Sequence, residues 1–359
     1  MPGPESGFSG QEIDDFQTWL GALSANFHPN RNLNLKFIAS AYYATEEETY
    51  DILGEYYLNE LERNMSSEDF GDSVLNLGTG SFLNHARNYL DATVYSVSHR
   101  GAFNSEKHLV NWGLQIQHEQ IDHKINEWIF RDSTGYSIPY SDTEVRLYYT
   151  LKSKNKISSN RFTGFIQDTW SIPVNSGDLY LTGGLRVHFW DYNKEWLISP
   201  RASVSYYPEW VDKVSFRLAA GMYHQSPFFK ELLRRDGSVD PDPKAQRSYQ
   251  LVLGSVYVFN AWDRPFRFTT EAYYKYMSRM IPYQIDNVRI RYLAEQEAFG
   301  YATGLDMKIN GEFVSGVQSW ASLSFMSAKE DVKNDGHGYI PRPTDQFMNF
   351  SLFFQDYLP

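Results

Sequence analysis

The sequence predicts an all-β protein, an antiparallel transmembrane β-barrel with long external loops. From Leu179 to Trp190 apolar side chains alternate with polar or small ones, and the same two-residue period returns at 213–223 and 266–276. Each run is longer than ten residues. Ordinary strands contain about five or six residues, whereas a tilted strand that crosses a bilayer needs about 9–11. The aromatic fraction of 16% suits the two aromatic girdles of such a barrel.

The connections between the predicted strands alternate in length. Short connections are expected at 26–32, 100–105, 173–176, 208–211, 259–264 and 312–316. Long connections are expected at 45–84, 121–158, 226–246, 278–299 and 329–345, with a smaller one near 191–195. Outer-membrane barrels join their strands by short periplasmic turns and longer external loops. The parity of the connections therefore supports a barrel in the outer membrane.

This division predicts about 13 strands, at 13–24, 33–45, 85–99, 106–119, 159–172, 177–190, 196–207, 213–225, 247–259, 265–278, 299–312, 318–329 and 346–357. Residues 50–63 fit a helical stripe nearly as well as a strand and are assigned to the first external loop. Residues 144–152 could form a hairpin above the membrane. The first 16 residues have no basic start and no apolar stretch, so no signal peptide is expected there. Because bacterial barrels have an even number of strands, the odd count predicts a piece of a larger barrel.

Composition excludes several functions. The formal net charge of −11 argues against a nucleic-acid partner, because phosphate binding requires a basic surface. The chain has no cysteine, which excludes disulfides and cysteine-ligated metal sites.

Several motifs resemble the barrel of TonB-dependent receptors. They are Gly184-Leu185-Arg186, Asp191-Tyr192-Asn193, Ser199-Pro200-Arg201, the segments at 217–223 and 226–232, the proline-rich return at 240–249, and the late segments at 300–306 and 341–345. Their order and spacing carry the resemblance, which covers nearly the whole chain and is clearest at 161–359.

The resemblance implies a 22-stranded barrel that encloses an N-terminal plug and imports a scarce nutrient, such as an iron chelate, vitamin, glycan or peptide. Energy would come from a TonB-type energy-coupling complex that acts through the plug. Residues 1–359 are then expected to be part of a single barrel domain embedded in outer-membrane lipid, without the plug and the terminal strands. The alternatives are a passive porin or structural barrel, which the long loops disfavour, and a secreted sandwich whose apolar faces pack sheet on sheet.

Two sets of residues are candidates for function. The first is a substrate-binding group in an external loop, where aromatic faces and guanidinium groups suit sugars, carboxylates or siderophores: Phe228, Phe229, Arg234 and Arg235. The alternative, which is favoured, is that the phenylalanines pack the loop and the arginines are solvated or pair with Asp236. The second set is predicted to face the lumen, because a cation at the lipid midplane costs about 2–4 kcal/mol: Arg186, Arg201, Arg217, Arg267, Glu271, Lys275, Asp306 and Lys308.

Other motifs give no site. His118 and His123 are spaced one residue too far apart for one helical face, and their segment is assigned to a strand end and loop. The loop acids lack the ligand spacing of a calcium loop: Asp236, Asp240 and Asp242. Residues 78–81 lack the strand-to-helix setting of a nucleophile. No catalytic residue, metal or cofactor is expected. Four tryptophans near strand ends are assigned to the aromatic belts: Trp170, Trp190, Trp196 and Trp320.

Overall fold

The computed structural model describes residues 3–133, 136–210, 213–286 and 289–357. The strands are β1 (Gly3–Asn30), β2 (Leu33–Leu61), β3 (Ser73–Asn104), β4 (His108–Ser133), β5 (Tyr136–Ser137), β6 (Tyr149–Val174), β7 (Gly177–Trp190), β8 (Glu195–Pro208), β9 (Lys213–Gln225), β10 (Gln246–Ala261), β11 (Arg264–Met280), β12 (Tyr283–Asp286), β13 (Arg289–Tyr292), β14 (Ala298–Val314), β15 (Val317–Val332), β16 (Ile340–Pro341) and β17 (Met348–Phe353). One 3-10 helix covers Phe229–Leu232. Within the described ranges, no helix has the length and apolar character needed to span a bilayer.

Among the described residues, fifteen strands form one antiparallel sheet, and β12 and β13 form a separate hairpin. Two of the fifteen, β5 and β16, contain two residues each, and the other 13 are the wall strands. Each wall strand pairs with the next wall strand along the chain. The predicted all-β antiparallel meander and the predicted count are confirmed. β7 and β9 also begin and end at the predicted residues.

The first two predicted external loops are wrong in extent. β2 runs to Leu61 and β3 begins at Ser73, so residues 50–61 are strand, and Tyr50 lies opposite Ala86. β4 likewise continues to Ser133 and β6 begins at Tyr149, so no separate hairpin forms at 144–152. The physical reason is that the hydrogen-bond ladder continues above the lipid, where the outer face no longer needs apolar side chains. Without those side chains the alternation that marks a membrane strand disappears.

The short connections are tight turns. Trp262 and Asp263 have φ of 53° and 57° and join β10 to β11 through the pair Ala261 and Arg264. Positive φ at both central residues is the geometry of a two-residue hairpin whose twist matches the flanking strands. The predicted connection at 208–211 includes residue 211, which lies outside the described ranges, as do 134–135 and 287–288 of the predicted long loops.

The register gives the sheet two distinct faces. Residues opposite each other in an antiparallel pair lie on the same face. Leu185 lies opposite Ile166 and Pro200, whereas Arg186 lies opposite Phe165 and Ser199. We call the face that carries Leu185 the apolar face and the face that carries Arg186 the polar face.

Aromatic side chains form two rows on the apolar face. At the end far from the short turns, the Phe189 ring lies 6.2 Å from Phe162 and 4.7 Å from Trp196. Beside the short turns, the Phe266 ring lies 5.7 Å from Phe259 and 5.0 Å from Phe313. Such paired rows are typical of the two interfaces of a membrane barrel.

The assignment of all four tryptophans to these belts is half right. Trp170 and Trp196 lie on the apolar face, opposite Leu181 and Phe189, and are exposed. Trp190 shares the parity of Arg186, lies on the polar face and is only 1% exposed. Trp320 also lies on the polar face, where the Lys308 Nζ is 4.7 Å from its ring centroid. Parity along the strand, rather than nearness to its end, decides the face.

Candidate functional site

Residues 226–245, which connect β9 to β10, fold back onto the polar face, and we call them the capping loop. Phe229 and Leu232 of the capping loop pack against Trp190 of β7 and Ile157 of β6 in one buried cluster. Trp190 also donates a hydrogen bond from Nε1 to Ser159 Oγ at 3.0 Å. This buried hydrophobic cluster thus anchors the capping loop to the polar face.

Polar contacts complete the attachment at the start of the capping loop. The Arg161 guanidinium lies 4.0 Å above the Trp190 ring and donates to the Pro227 carbonyl at 3.2 Å. Its Nε also donates to Glu119 at 3.0 Å. Arg161 therefore links the loop, the buried tryptophan and a wall carboxylate.

Glu231 is buried within the capping loop. Its carboxylate accepts hydrogen bonds from the Phe228 backbone N–H at 3.2 Å and from Gln246 Nε2 at 2.8 Å. Burial raises the pKa of Glu231, and the two hydrogen bonds offset this only in part. The charge state of this carboxyl is therefore coupled to loop closure.

Two ion pairs join loop residues to distant wall strands. Lys230 Nζ of the capping loop lies 2.6 Å from Glu46 of β2. Arg291 of the β12–β13 hairpin lies 3.2 Å from Glu127 of β4. Because the two loops start from β9 and β11, these contacts reach strands several places away along the sheet. The loops therefore extend across the polar face instead of standing away from it.

The four predicted substrate-binding residues have different surroundings. Phe229 is 7% exposed and packs the loop, whereas Phe228 is 42% exposed and meets the Tyr292 ring edge-on at 5.2 Å. Arg234 pairs with Asp240 at 2.8 Å, and Arg235 pairs with Glu295 at 3.2 Å. The structure therefore brings Phe228 and Arg235 together with the loop at 281–297 and places Phe229 beneath the surface.

Asp236 does not pair with the arginines through a direct contact. It accepts hydrogen bonds from the Ser238 hydroxyl and backbone N–H at 2.6 Å and 2.9 Å, and these bonds lower its pKa. Asp240 and Asp242 contact Arg234 and Lys244, respectively. Each of the three acids considered for calcium therefore has a donor from the protein.

Loop tyrosines are the residues that sequence reasoning missed. The Tyr292 ring lies 5.9 Å from the Tyr283 ring in the β12–β13 hairpin. Tyr192, in the short loop after β7, donates from its hydroxyl to the Asp240 carbonyl at 3.0 Å. Nothing in their local sequence distinguishes them among the 26 tyrosines of the chain.

The register places all eight predicted lumen residues on the polar face. Among their opposed pairs are Arg186 with Ser199, Arg201 with Gly221, Arg217 with Gly254, Glu271 with Asp306, Lys275 with Gln250, Lys308 with Thr269 and Arg267 with Asn310. The polar face is thus a continuous hydrophilic surface beneath the loops.

The two histidines considered for a metal lie in the middle of β4, not at a strand end and loop as expected. His118 lies opposite Asn160 and shares a 2.9 Å hydrogen bond with it. His123 has the opposite parity, is buried, and meets the Phe229 ring edge-on at 4.9 Å. The two rings point to opposite faces of the sheet and share no site.

Comparison with known proteins agrees with this architecture. A sequence model of the family described as TonB dependent receptor-like, beta-barrel, matches residues 2–357. No curated protein sequence matches the chain.

Among solved structures, the copper transporter OprC gives a TM-score of 0.50 at 11% identity, covering 90% of this chain and 57% of that chain. The FpvAI–pyocin S2 complex gives 0.50 at 10% identity, covering 95% and 53%. The RagAB peptide transporter gives 0.46 at 11% identity, covering 93% and 38%. The chain therefore spans between 38% and 57% of the lengths of these three proteins.

The family match and the strand order together confirm the predicted fold class, an all-β antiparallel β-barrel of the outer membrane. Members of this family are transporters in the outer membrane and not enzymes. The chain belongs to the TonB dependent receptor-like, beta-barrel family.

Proposed function

We propose that this chain supplies barrel wall and external loops to a receptor that binds a scarce nutrient and imports it with energy from a TonB-type complex. Residues 1–359 are, in this proposal, part of a single barrel domain whose polar face lines the lumen. The observation that carries the proposal is the position of the capping loop and the β12–β13 hairpin. Both lie on the polar face and are anchored to β2 and β4.

This arrangement favours a gated receptor over a passive porin. A porin conducts through a water-filled channel, whereas the capping loop here buries Phe229 and Leu232 against the wall. A nutrient entering along the polar face would have to displace or pass these loops. Gating is therefore a natural consequence of the loop packing.

The exposed side chains at the junction of the two loops indicate how a nutrient would be bound. Phe228 and Tyr292 present ring faces and edges, and Arg235 is more than half exposed although it pairs with Glu295. Aromatic rings combined with a guanidinium group suit a ligand that has both apolar rings or sugar faces and an anionic group. Iron chelates, vitamins, glycans and peptides all include such compounds.

The test is to lock the capping loop. Because the chain has no cysteine, Lys230→Cys with Glu46→Cys creates a single addressable thiol pair. A short cleavable bis-thiol cross-linker would join the pair in cells that depend on this protein for growth on one of the four nutrient classes. We expect uptake of that labelled nutrient to fall at least tenfold and to recover when the linker is cleaved.

The single variant Lys230→Cys, treated in the same way, is the matched control and should keep its uptake. Unchanged uptake in the locked protein would show that the nutrient does not pass beneath the capping loop. That outcome would favour the passive barrel.

A further inference from the structure

The negative charge of the chain is concentrated in its first strands. Residues 1–72 contain 14 carboxylate side chains and only three lysine or arginine side chains, whereas residues 73–359 have equal numbers of both signs. Four of these carboxylates share the polar face with Glu127 of β4. We call the five residues the acidic wall: Glu12, Asp14, Glu46, Glu48 and Glu127. The short connections lie at the opposite ends of these strands, so the acidic wall is on the external side.

The register brings the carboxylates of the acidic wall close together. Asp14 lies directly opposite Glu48, and the carboxylate oxygens of these two residues and of Glu12 lie within 4.8 Å of one another. Asn88 donates from Nδ2 to Glu48 at 3.1 Å and to Glu127 at 2.7 Å. Like charges directly opposite each other on two strands are destabilising. A cation at this surface would relieve the repulsion.

The acidic wall already binds cationic side chains of the protein. Lys230 Nζ of the capping loop lies 2.6 Å from Glu46, and Arg291 of the β12–β13 hairpin lies 3.2 Å from Glu127. The wall therefore accepts both an ammonium and a guanidinium group. Both groups are supplied by loops, so a ligand with the same groups can compete for the same carboxylates.

His123 is a second indication of a ligand at this surface. It lies on the polar face, in line with Leu90 and Glu46 across the neighbouring strands. It is only 8% exposed, and its Nδ1 is buried without a hydrogen-bond partner among the described residues. Burial and the nearby Lys230 ammonium lower the pKa of His123 to about 4, so the ring is neutral at neutral pH. A neutral imidazole can accept a hydrogen bond from an ammonium group once the capping loop lifts away.

Aromatic rings border the acidic wall on the same face. Phe16 lies opposite Glu46 and is 67% exposed. Farther from the short turns, the Phe8 and Phe82 rings meet edge to face at 6.2 Å, and the Phe82 ring fills the space beside Gly54 that a side chain would occupy. Aromatic rings bind both apolar groups and cations. The surface therefore suits a ligand that carries both.

We propose that the acidic wall selects a basic oligopeptide as the nutrient, by binding its lysine or arginine side chains in place of Lys230 and Arg291. This proposal rests on the receptor function proposed above and names the substrate class for it. The carboxyl terminus of an oligopeptide also suits Arg235 at the junction of the two loops. Because a ligand cation at Glu46 replaces Lys230, binding releases the capping loop from β2.

The outward face of the same two strands provides a matched control. Asp15 lies directly opposite Glu47, one residue along each strand from Asp14 and Glu48. The two pairs have the same residue types and nearly the same height, but they lie on opposite faces. The overall charge of the chain acts through both pairs, whereas a site on the acidic wall depends on the inward pair.

The experiment measures the binding of two probes to the intact chain in detergent micelles, with a metal chelator present. One probe is a pentapeptide of alternating lysine and phenylalanine, and the other is the same peptide with its amino groups acetylated. We expect the unmodified peptide to bind at least tenfold more tightly, and added salt to reduce the difference. Asp14→Asn with Glu48→Gln should weaken its binding at least fivefold, whereas Asp15→Asn with Glu47→Gln should leave it unchanged.

Lys230→Gln gives a result that misfolding cannot imitate. The substitution removes the cation that competes for Glu46. We therefore expect this variant to bind the unmodified peptide at least threefold more tightly than the unaltered chain does, and to bind the acetylated peptide as before.

Three results would overturn the proposal: equal binding of the two peptides by the unaltered chain, equal losses in the inward and outward double variants, or unchanged or weaker peptide binding by Lys230→Gln. Calcium, added without the chelator, tests the rival occupant. If the inward variant loses calcium binding but keeps peptide binding, the carboxylates form a metal site and the proposal fails. Uptake that still depends on an unlocked capping loop would leave the receptor function standing in each of these cases.

Discussion

Glu231 couples the capping loop to pH at the scale of a single residue. Burial raises the pKa of this carboxyl above its ordinary value of 4.5, so the folded loop favours the protonated form. The loop is then most stable below pH 4.5, and this stabilisation is lost as pH rises from that value through the folded-state pKa. Above the folded-state pKa the loop remains at its lower stability.

The first prediction concerns this pH dependence. Loop opening, measured by amide hydrogen exchange in 226–245 and corrected for the intrinsic exchange rate, should be more frequent at neutral pH than in mild acid. Glu231→Gln should flatten the dependence, because the amide can keep both hydrogen bonds after rotation of Gln246 but cannot ionise. An equal pH slope in the variant would assign the effect to another group.

The second prediction follows from the register of β7. Leu185 is exposed on the apolar face, whereas the Thr182 hydroxyl lies 3.0 Å from the Thr169 hydroxyl on the polar face. Leu185→Arg should make folding into the membrane less favourable by about 2–4 kcal/mol, because it places a cation in the lipid. Thr182→Arg should be tolerated, because it faces the polar side. Folding into lipid vesicles, followed by the shift in gel mobility on heating, measures both. Equal behaviour of the two variants would contradict the strand assignment.

At the scale of elements, the sequence predicts strands well only where they cross the lipid. β7 and β9 alternate throughout, and both were predicted to the residue. β2 and β3 are 29 and 32 residues long, and their external parts carry polar side chains on both faces. No period marks those parts, because solvent lies outside them, and polar side-chain contacts such as the ion pair between Arg87 and Asp51 add to the hydrogen-bond ladder that joins them.

The candidate site was predictable only in part for a related reason. The segment at 226–246 was recognised as an external loop, but its inward fold depends on Trp190, which is distant in sequence. Trp190 itself was assigned to a lipid belt. The contact between Phe228 and Tyr292 joins two different loops. Contacts between loops do not show in the local sequence. The sequence therefore could not tell that Phe229 is buried and Phe228 is exposed.

The third prediction concerns the cluster that holds the capping loop. Trp190→Ala removes a side chain that is 1% exposed and should destabilise loop closure by about 3–5 kcal/mol. Trypsin cleavage after Arg234 or Arg235 should then be faster by a factor of about 100 to 4,000. Trp196→Ala, at an apolar-face position that is 67% exposed, is the control and should leave cleavage unchanged. Equal cleavage rates in the two variants would mean that the capping loop is held elsewhere.

At the scale of the whole molecule, the polar face has a vertical division of charge. Arg217 and Arg267 lie toward the short turns and Arg201 lies in the middle of its strand, whereas Glu46, Glu119 and Glu127 lie on the far parts of the strands, under the loops. The loops contribute cations to two of these carboxylates through Lys230 and Arg291. Loop closure therefore places a cation beside two carboxylates of the external part of the wall, Glu46 and Glu127.

The central claim is that the polar face lines a lumen and the apolar face contacts lipid, and thiol accessibility tests it most directly. The natural absence of cysteine allows single substitutions at Leu305, Asp306, Tyr274 and Lys275, which alternate between the faces of β14 and β11. In lipid nanodiscs, a hydrophilic thiol reagent should label the cysteines at 306 and 275 and spare those at 305 and 274. Equal labelling at all four positions, or the reverse order, would contradict the account.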